Sequence, residues 1–218
     1  LQAILDWGLA SKTKFYQAST SELYGEIQER KQSERTKFYP KSPYATSKLF
    51  AYWITKNYRE SYNIFASNGI LFNHESPRRG TNFVTNKVVK TAVEIKLGLK
   101  DKLPLGNMES MRDWGHAKDY VKAMHLMLNQ HEADDWVVST MKTHSVKNLC
   151  EYVFNKLEMN YKDYVTQDQR YMRPEELEYL KGDSSKIREK LNWKPEYTFE
   201  KMLDEMIDYW MDFYKNIK

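Results

Sequence analysis

The apolar residues of LQAILDWGLA recur at helical spacing from Leu1 and predict a helix to about Ala10. The run that follows predicts a strand over Lys14–Ser19 and then breaks into turn-like sequence. A helix is predicted from about Pro43 to Tyr62, closed by SYN, and IFASNGILF (Ile64 to Phe72) reads as a buried strand bounded by polar residues. Helix, strand, helix, strand is the rhythm of a doubly wound parallel sheet. The pattern changes at NHESPRRG. Beyond it come a helix over about Asn82 to Leu97, a short strand near Leu103, a segment RDWGHAKDY running into a helix, and a strand WVVST. Longer helices follow, and in the last of them Phe199, Met202, Leu203, Met206, Ile207, Trp210 and Phe213 form an apolar stripe that predicts core or subunit contact. The expected fold is α/β: a partial doubly wound, Rossmann-like parallel sheet with a smaller mixed α/β C-terminal lobe for substrate. Residues 1–75 are expected to form the C-terminal part of the sheet domain and 76–218 mainly the lobe, with the chain able to cross back to the sheet.

Composition narrows the classes. A chain of 218 residues with 41% hydrophobic and 14% aromatic residues can bury a core. No apolar run approaches the length of about 20 residues that a membrane span needs, and no signal peptide precedes the first helical pattern, so a cytoplasmic protein away from membranes is expected. The single cysteine, Cys150, lies within the helical pattern SVKNLCEYVFNKL and is expected to be a core thiol. A formal charge of +4, dispersed along the chain, argues against nucleic acid and is compatible with a small anionic ligand. A sheet of this type normally carries a glycine-rich turn after its first strand, where helix amides meet a pyrophosphate. Here no two glycines lie closer than Gly98 and Gly106, and no such turn can be drawn. The chain also begins without methionine and already in helical pattern, so upstream sequence is expected to be missing.

Open parallel sheets bind ligands at the carboxyl ends of their strands, which places STSELYG and NHESPRRG at the expected mouth. In SPYATSK, Tyr44 and Lys48 are four apart on a predicted helix and share one face. An ammonium beside a phenol favours the phenolate, which makes Tyr44 a candidate base for an alcohol proton. On spacing alone the pair also fits a solvated lysine beside a packed aromatic. A serine or threonine just past a strand can hydrogen-bond a substrate hydroxyl, and Glu22 supplies a second acid/base. The alternative is that Ser19, Thr20 and Ser21 satisfy loop amides while Glu22 faces solvent. His116 and Asp119 stand at helical spacing but have no third ligand in view, so no metal is expected.

STSELYG, FYPKSPYATSK, NGILFNHESPRRGTNFVTNK, RDWGHAKDY and LNWKP together resemble the GDP-mannose 4,6-dehydratase family of extended short-chain dehydrogenase/reductases. The likeness runs over essentially the whole chain. What corresponds to roughly the first third of a family member, with its dinucleotide glycine loop, is not in it. The resemblance implies oxidation of a sugar at C4 with tightly held NADP, loss of water across C5 and C6, and return of the hydride to C6. It implies that Tyr44 takes the C4 hydroxyl proton, that Lys48 assists it and holds the nicotinamide ribose, and that Thr20 bonds near the C4 oxygen. Glu22 is implied to take the C5 proton and then protonate the departing C6 hydroxyl. His74 and Arg79 are implied to contact NADP. Asn73, Lys87, Arg112 and Arg173 are implied to surround GDP-mannose, with Glu176 reaching its guanosine. A homodimer or homotetramer is the implied assembly.

Glu22 also separates relatives. Sugar-nucleotide epimerases of the superfamily generally lack this glutamate, because they need no C5 base, which disfavours an epimerase or reductase. The dTDP-glucose and UDP-sugar dehydratases typically show an Asp-Glu pair, whereas here Ser21 precedes Glu22. The remaining alternative is a truncated, non-catalytic lobe that binds nucleotide-sugar or only assembles with another polypeptide.

Overall fold

The computed structural model describes residues 1–172, 177 and 179–216. A short helix α1 (Gln2–Asp6) leads to β1 (Lys14–Thr20), a 3-10 turn at Ser21–Leu23 and the long α2 (Pro43–Tyr62). Next come β2 (Phe65–Leu71), β3 (Asn73–Glu75), α3 (Val84–Lys96), β4 (Leu103–Leu105), β5 (Met111–Arg112) and β6 (Trp114–His116). They are followed by α4 (Ala117–Leu128), β7 (Asp135–Val138), β8 (His144–Ser145), α5 (Val146–Lys156) and β9 (Val165–Gln167). Helices α6 (Ser185–Leu191) and α7 (Phe199–Lys215) complete the order.

The main sheet is parallel, in the order β1-β2-β7. Its register sets Lys14 opposite Phe65 and Thr20 opposite Leu71, and on the other side Leu71 opposite Val138. Three strands therefore finish side by side, so the segments leaving Thr20, Leu71 and Val138 all emerge at one end. Among the described residues β1 pairs with β2 alone. The alternation of strand side chains explains the layering. Ile70, Phe72 and Val137 pack on one face with Tyr52 of α2, Leu23, Tyr24 and Leu180. Leu71, Trp136 and Val138 pack on the other with Tyr120 and Met127 of α4 and Ile187 of α6. Helices thus cover both faces, as expected of a doubly wound sheet. A second core joins α3, α5 and α7 through Val88, Val89, Val93, Leu149, Val153, Leu203 and Met206.

Local chemistry sets the boundaries that matter for function. Helix α2 starts where the Ser42 hydroxyl accepts the Ala45 amide at 3.0 Å and Pro43 fills the first turn, and it stops at Asn63 in the left-handed region. Helix α1 ends at Asp6 rather than near Ala10. Gly8 adopts φ +62° and lets the Leu9 amide fold back onto the Ile4 carbonyl at 2.8 Å, a turn that closes a helix. The expected strand Ile64–Phe72 is β2 alone up to Leu71, after which the chain changes partner and β3 pairs in parallel with β6. The α7 stripe is core from Phe199 to Trp210, while Phe213 is exposed. Cys150 lies in the core of α3, α5 and α7, where burial pushes its thiol up to about 12. Among the described residues no helix is long and apolar enough to cross a membrane.

Candidate active site

The end of β1 is a built corner. Thr20 caps the 3-10 turn, its Oγ1 accepting the Glu22 amide at 3.2 Å, which fixes the backbone of the glutamate. A hydroxyl has two acceptor sites and one donor, so this bond does not use the Thr20 O–H. Gly25 closes the stretch at φ +53°, and a Cβ there would run into the Tyr39 carbonyl. Across the corner stands the first turn of α2. Tyr44 is 54% exposed. Lys48 lies on the same helix face, its Nζ 5.8 Å from the Tyr44 ring centre, and donates to the Ala18 carbonyl at 3.0 Å. The lysine thereby ties the tyrosine-bearing turn to the last residues of β1.

The second wall comes from β3 and the turn after it. His74 Nδ1 lies 2.9 Å from the Phe72 carbonyl, and since a carbonyl only accepts, Nδ1 carries the hydrogen. Burial lowers the His74 pKa; the Phe72 bond works against this and the Arg79 charge adds to it, so the ring is held neutral with its face on Tyr120. Arg79 lies flat on Phe83, its guanidinium carbon 3.5 Å from the ring centre, with Nε 3.2 Å from the buried Glu75 carboxylate. Burial pushes Glu75 up to about 7, against the Arg79 charge and the Thr85 hydrogen bond.

The third wall comes from α3 and β5. Lys87 of α3 donates to the Pro104 carbonyl at 2.7 Å and sits 3.5 Å over the Tyr171 ring, and burial lowers its pKa. Arg112 ends β5, with Nη1 on the Met111 carbonyl at 2.9 Å. Its neighbour Asp113 is buried and accepts from the Thr140 amide and hydroxyl and the Met141 amide. That set fixes the loop after β7 against β5.

These walls enclose one cavity of about 1330 Å³. Thr20, Glu22, Tyr44, Lys48, Asn73, His74, Arg79, Lys87 and Arg112, widely separated in sequence, all line it. Arg173 and Glu176 lie outside the described residues. Eight lysines and arginines line the space, Lys48, Arg79, Lys87 and Arg112 among them, a donor set suited to diphosphates. Three buried polar atoms on the same lining, Arg79 Nε, Ser110 Oγ and Trp114 Nε1, have no hydrogen-bond partner among the described residues. The residues present therefore fit the phosphates of a bound dinucleotide. His116 and Asp119 serve elsewhere. His116 caps α4, lies 3.0 Å from Glu205 and stacks on Tyr197, and Asp119 accepts the Glu196 and Tyr197 amides.

Reading the sequence missed Glu75, Thr85, Ser110 and Trp114. The glutamate sits in NHESPRRG beside residues that were singled out, and its spacing of four from Arg79 was the available signal. Nothing in the pattern marks Ser110, because only the tertiary fold closes the cavity over it.

A family model described as GDP-mannose 4,6 dehydratase matches residues 1–206. The chain is 50% identical over 224 residues to the GDP-mannose 4,6 dehydratase of Homo sapiens, covering 95% of this chain and 60% of that protein. It is 54% identical over 195 residues to GDP-mannose 4,6 dehydratase 2 of Arabidopsis thaliana, covering 89% and 52%. The chain thus spans about 60% or less of the length of these relatives. Among solved structures, RMD from Pseudomonas aeruginosa complexed with NADPH superimposes with a TM-score of 0.87 at 24% identity, over 97% of this chain and 70% of that one. At that identity the likeness shows the fold.

Proposed function

We propose, because this chain belongs to the GDP-mannose 4,6-dehydratase family, that its cavity converts GDP-mannose to GDP-4-keto-6-deoxymannose with NADP as cofactor. The observation that carries the reading is the convergence of Thr20, Glu22, Tyr44 and Lys48 on one cavity lined by cations. The same convergence argues against a non-catalytic lobe.

In this reading Tyr44 receives the proton of the sugar C4 hydroxyl while Thr20 donates its O–H to the C4 oxygen. Bound NADP supplies the hydride acceptor for that oxidation and the hydride that C6 later gains. The C4 ketone acidifies C5, and Glu22 takes the C5 proton. Glu22 then passes it to the C6 hydroxyl, which leaves as water. The proton held on Tyr44 balances the one that C5 regains, so the sum is substrate to ketone plus one water. One carboxylate beside one phenol is the smallest set that serves an oxidation followed by an elimination. Lys48, anchored on Ala18, holds the tyrosine turn and the ribose of the cofactor; His74 and Arg79 hold its other polar groups. Asn73, Lys87 and Arg112, and by the family resemblance Arg173 and Glu176, would take the nucleotide-sugar.

The work would divide along the chain, residues 1–75 serving mainly the cofactor and oxidation, and 76–218 mainly the nucleotide-sugar. A homodimer or homotetramer is the assembly we favour. Phe50 and Trp53, 70% and 52% exposed on one face of α2, support it.

The test is incubation of the full-length protein with GDP-mannose and NADP+, with the sugar product identified by mass and NMR. A 4-keto-6-deoxy product is expected. An epimerised sugar with its C6 hydroxyl intact would reject the reading.

A further inference from the structure

Glu75 is among the most buried carboxylates of the chain, with 1% of its side chain exposed, yet no step above uses it. It ends β3, one residue after His74, on the strand pair β3-β6, from which Asn73, His74, Glu75 and Trp114 line the cavity. Its Oε2 accepts the Thr85 hydroxyl at 2.6 Å and lies 3.2 Å from Arg79 Nε. The second contact is an ion pair rather than an aligned hydrogen bond, since Arg79 Nε has no hydrogen-bond partner among the described residues. From the other side the Phe83 ring supports the guanidinium at 3.5 Å. The backbone of the arginine is tethered as well. The Asn86 side chain donates to the Arg79 carbonyl and receives the Trp210 indole N–H at 2.6 Å, which links the turn to α3 and α7.

A carboxylate withdrawn from water is an expensive way to fill space, and an apolar residue packed in its place is often as stable or more so. What the charge adds is direction. It engages the Nε edge of the guanidinium, while the arginine side chain, 26% exposed, lines the cavity. An arginine free in solution loses rotamer freedom when it clamps an anion, and one already held by a carboxylate, a ring and a backbone tether does not.

We propose that Glu75 is a positioning residue, which with Thr85 holds Arg79 flat on Phe83 and presents its guanidinium, ready placed, to a phosphate of the bound dinucleotide. The proposal deepens the reading above and rests on it for the identity of that anion. It assigns Glu75 and Thr85 a role on the cofactor side only, acting through Arg79 and touching neither ligand.

The experiment is a thermodynamic cycle on the full-length protein at pH 8.5, where Glu75 carries its charge, read by calorimetric titration with NADP+ and separately with GDP-mannose. Arg79→Ala is expected to weaken NADP+ by roughly thirtyfold, and Glu75→Gln, which keeps the shape but loses the charge, by about fivefold. In an Arg79→Ala background Glu75→Gln is expected to add no further loss. GDP-mannose affinity should change less than twofold throughout. Should Glu75→Gln fail to fold, Thr85→Val carries the test, because it frees the carboxylate while leaving the charge; a loss confined to NADP+ and absent without Arg79 is expected. Equal losses with and without Arg79, or equal losses for both ligands, would show a merely structural residue and overturn the proposal. If Arg79→Ala weakens NADP+ and Glu75→Gln does not, the positioning role alone fails. If Arg79→Ala leaves NADP+ binding intact, the assignment of Arg79 to the cofactor fails with it.

Discussion

Replacing Asp135 with alanine should destabilise the protein by about 3–5 kcal/mol, because it strands a charge inside the sheet domain. Asp135 begins β7 and receives both arms of Arg59, at 2.9 and 3.0 Å, the Asn68 amide at 2.9 Å and the Tyr52 hydroxyl at 2.9 Å. Only 14% of the Arg59 side chain and 9% of the Asp135 side chain reach solvent, so water cannot replace the lost partner. Burial alone would raise the Asp135 carboxyl, but the Arg59 and Asn68 bonds, the Arg59 charge and the Tyr52 bond outweigh it and hold the pKa below its usual value. The sign follows from linkage. A carboxyl depressed by folding contributes stability that is present above its unfolded pKa, near 4, and is lost as the pH falls through the lower folded value. Urea unfolding followed by tryptophan fluorescence at pH 7 should show the full loss in Asp135→Ala, and acidification below pH 4 should narrow the gap to wild type. Arg59→Met/Asp135→Leu should recover at least about 2 kcal/mol of it, since no charge is then left unpaired. A loss below about 1 kcal/mol in the single variant would refute the reasoning. The consequence reaches the site, because Tyr52 and Arg59 stand on the helix that carries Tyr44 and Lys48.

Three further outcomes are expected. Arg112→Ala should weaken GDP-mannose by one to two decades, the worth of a charge-assisted contact at roughly 1.5–3 kcal/mol, and leave NADP+ nearly unchanged; equal losses in titration calorimetry would show that the arginine was assigned to the wrong ligand. Glu75, raised by burial from 4.5 to about 7, binds its proton more tightly folded than unfolded, so stability should fall as pH rises between those values, by about 3 kcal/mol from this group. Glu75→Gln should flatten that part of the curve in denaturant titrations at pH 5 and pH 7.5, and an unchanged slope would contradict the cause given. Gly25→Ala should cost at least about 2 kcal/mol, from a strained left-handed backbone and a Cβ directed at the Tyr39 carbonyl, and an unaltered melting temperature would count against it.

Much of the fold was legible because its signals are local. Helix α2 announces both ends, by Ser42 and Pro43 at the start and Asn63 at the stop, and β1 and β2 show as apolar runs between polar turns. The break after Leu71 was not legible. Ile64–Phe72 is one apolar run, and what divides it is the change of partner from β7 to β6, a contact with sequence more than forty residues away. The first wall of the site was readable for the same local reason: Thr20 and Glu22 share one turn, and Tyr44 and Lys48 one helix face. Their meeting with Lys87 and Arg112 depends on α3 and β5 folding back over the strand ends, and here the resemblance supplied what spacing could not. Glu75 escaped notice because a buried carboxylate and a solvated one look alike in sequence. Its role emerges only when Thr85, Phe83 and Arg79 are found around it.

The claim that Glu22 and Tyr44 divide an elimination from an oxidation can be tested by one measurement. Glu22→Gln, in the full-length protein loaded with NADP+, is mixed with GDP-mannose, and the absorbance of the reduced nicotinamide is followed through a single turnover. The amide keeps the shape but cannot take the C5 proton. The account predicts that C4 oxidation still proceeds, so the reduced cofactor accumulates while the 6-deoxy product fails to form. A Glu22→Gln protein that makes the 6-deoxy product at the normal rate, with no accumulated reduced nicotinamide, would contradict it.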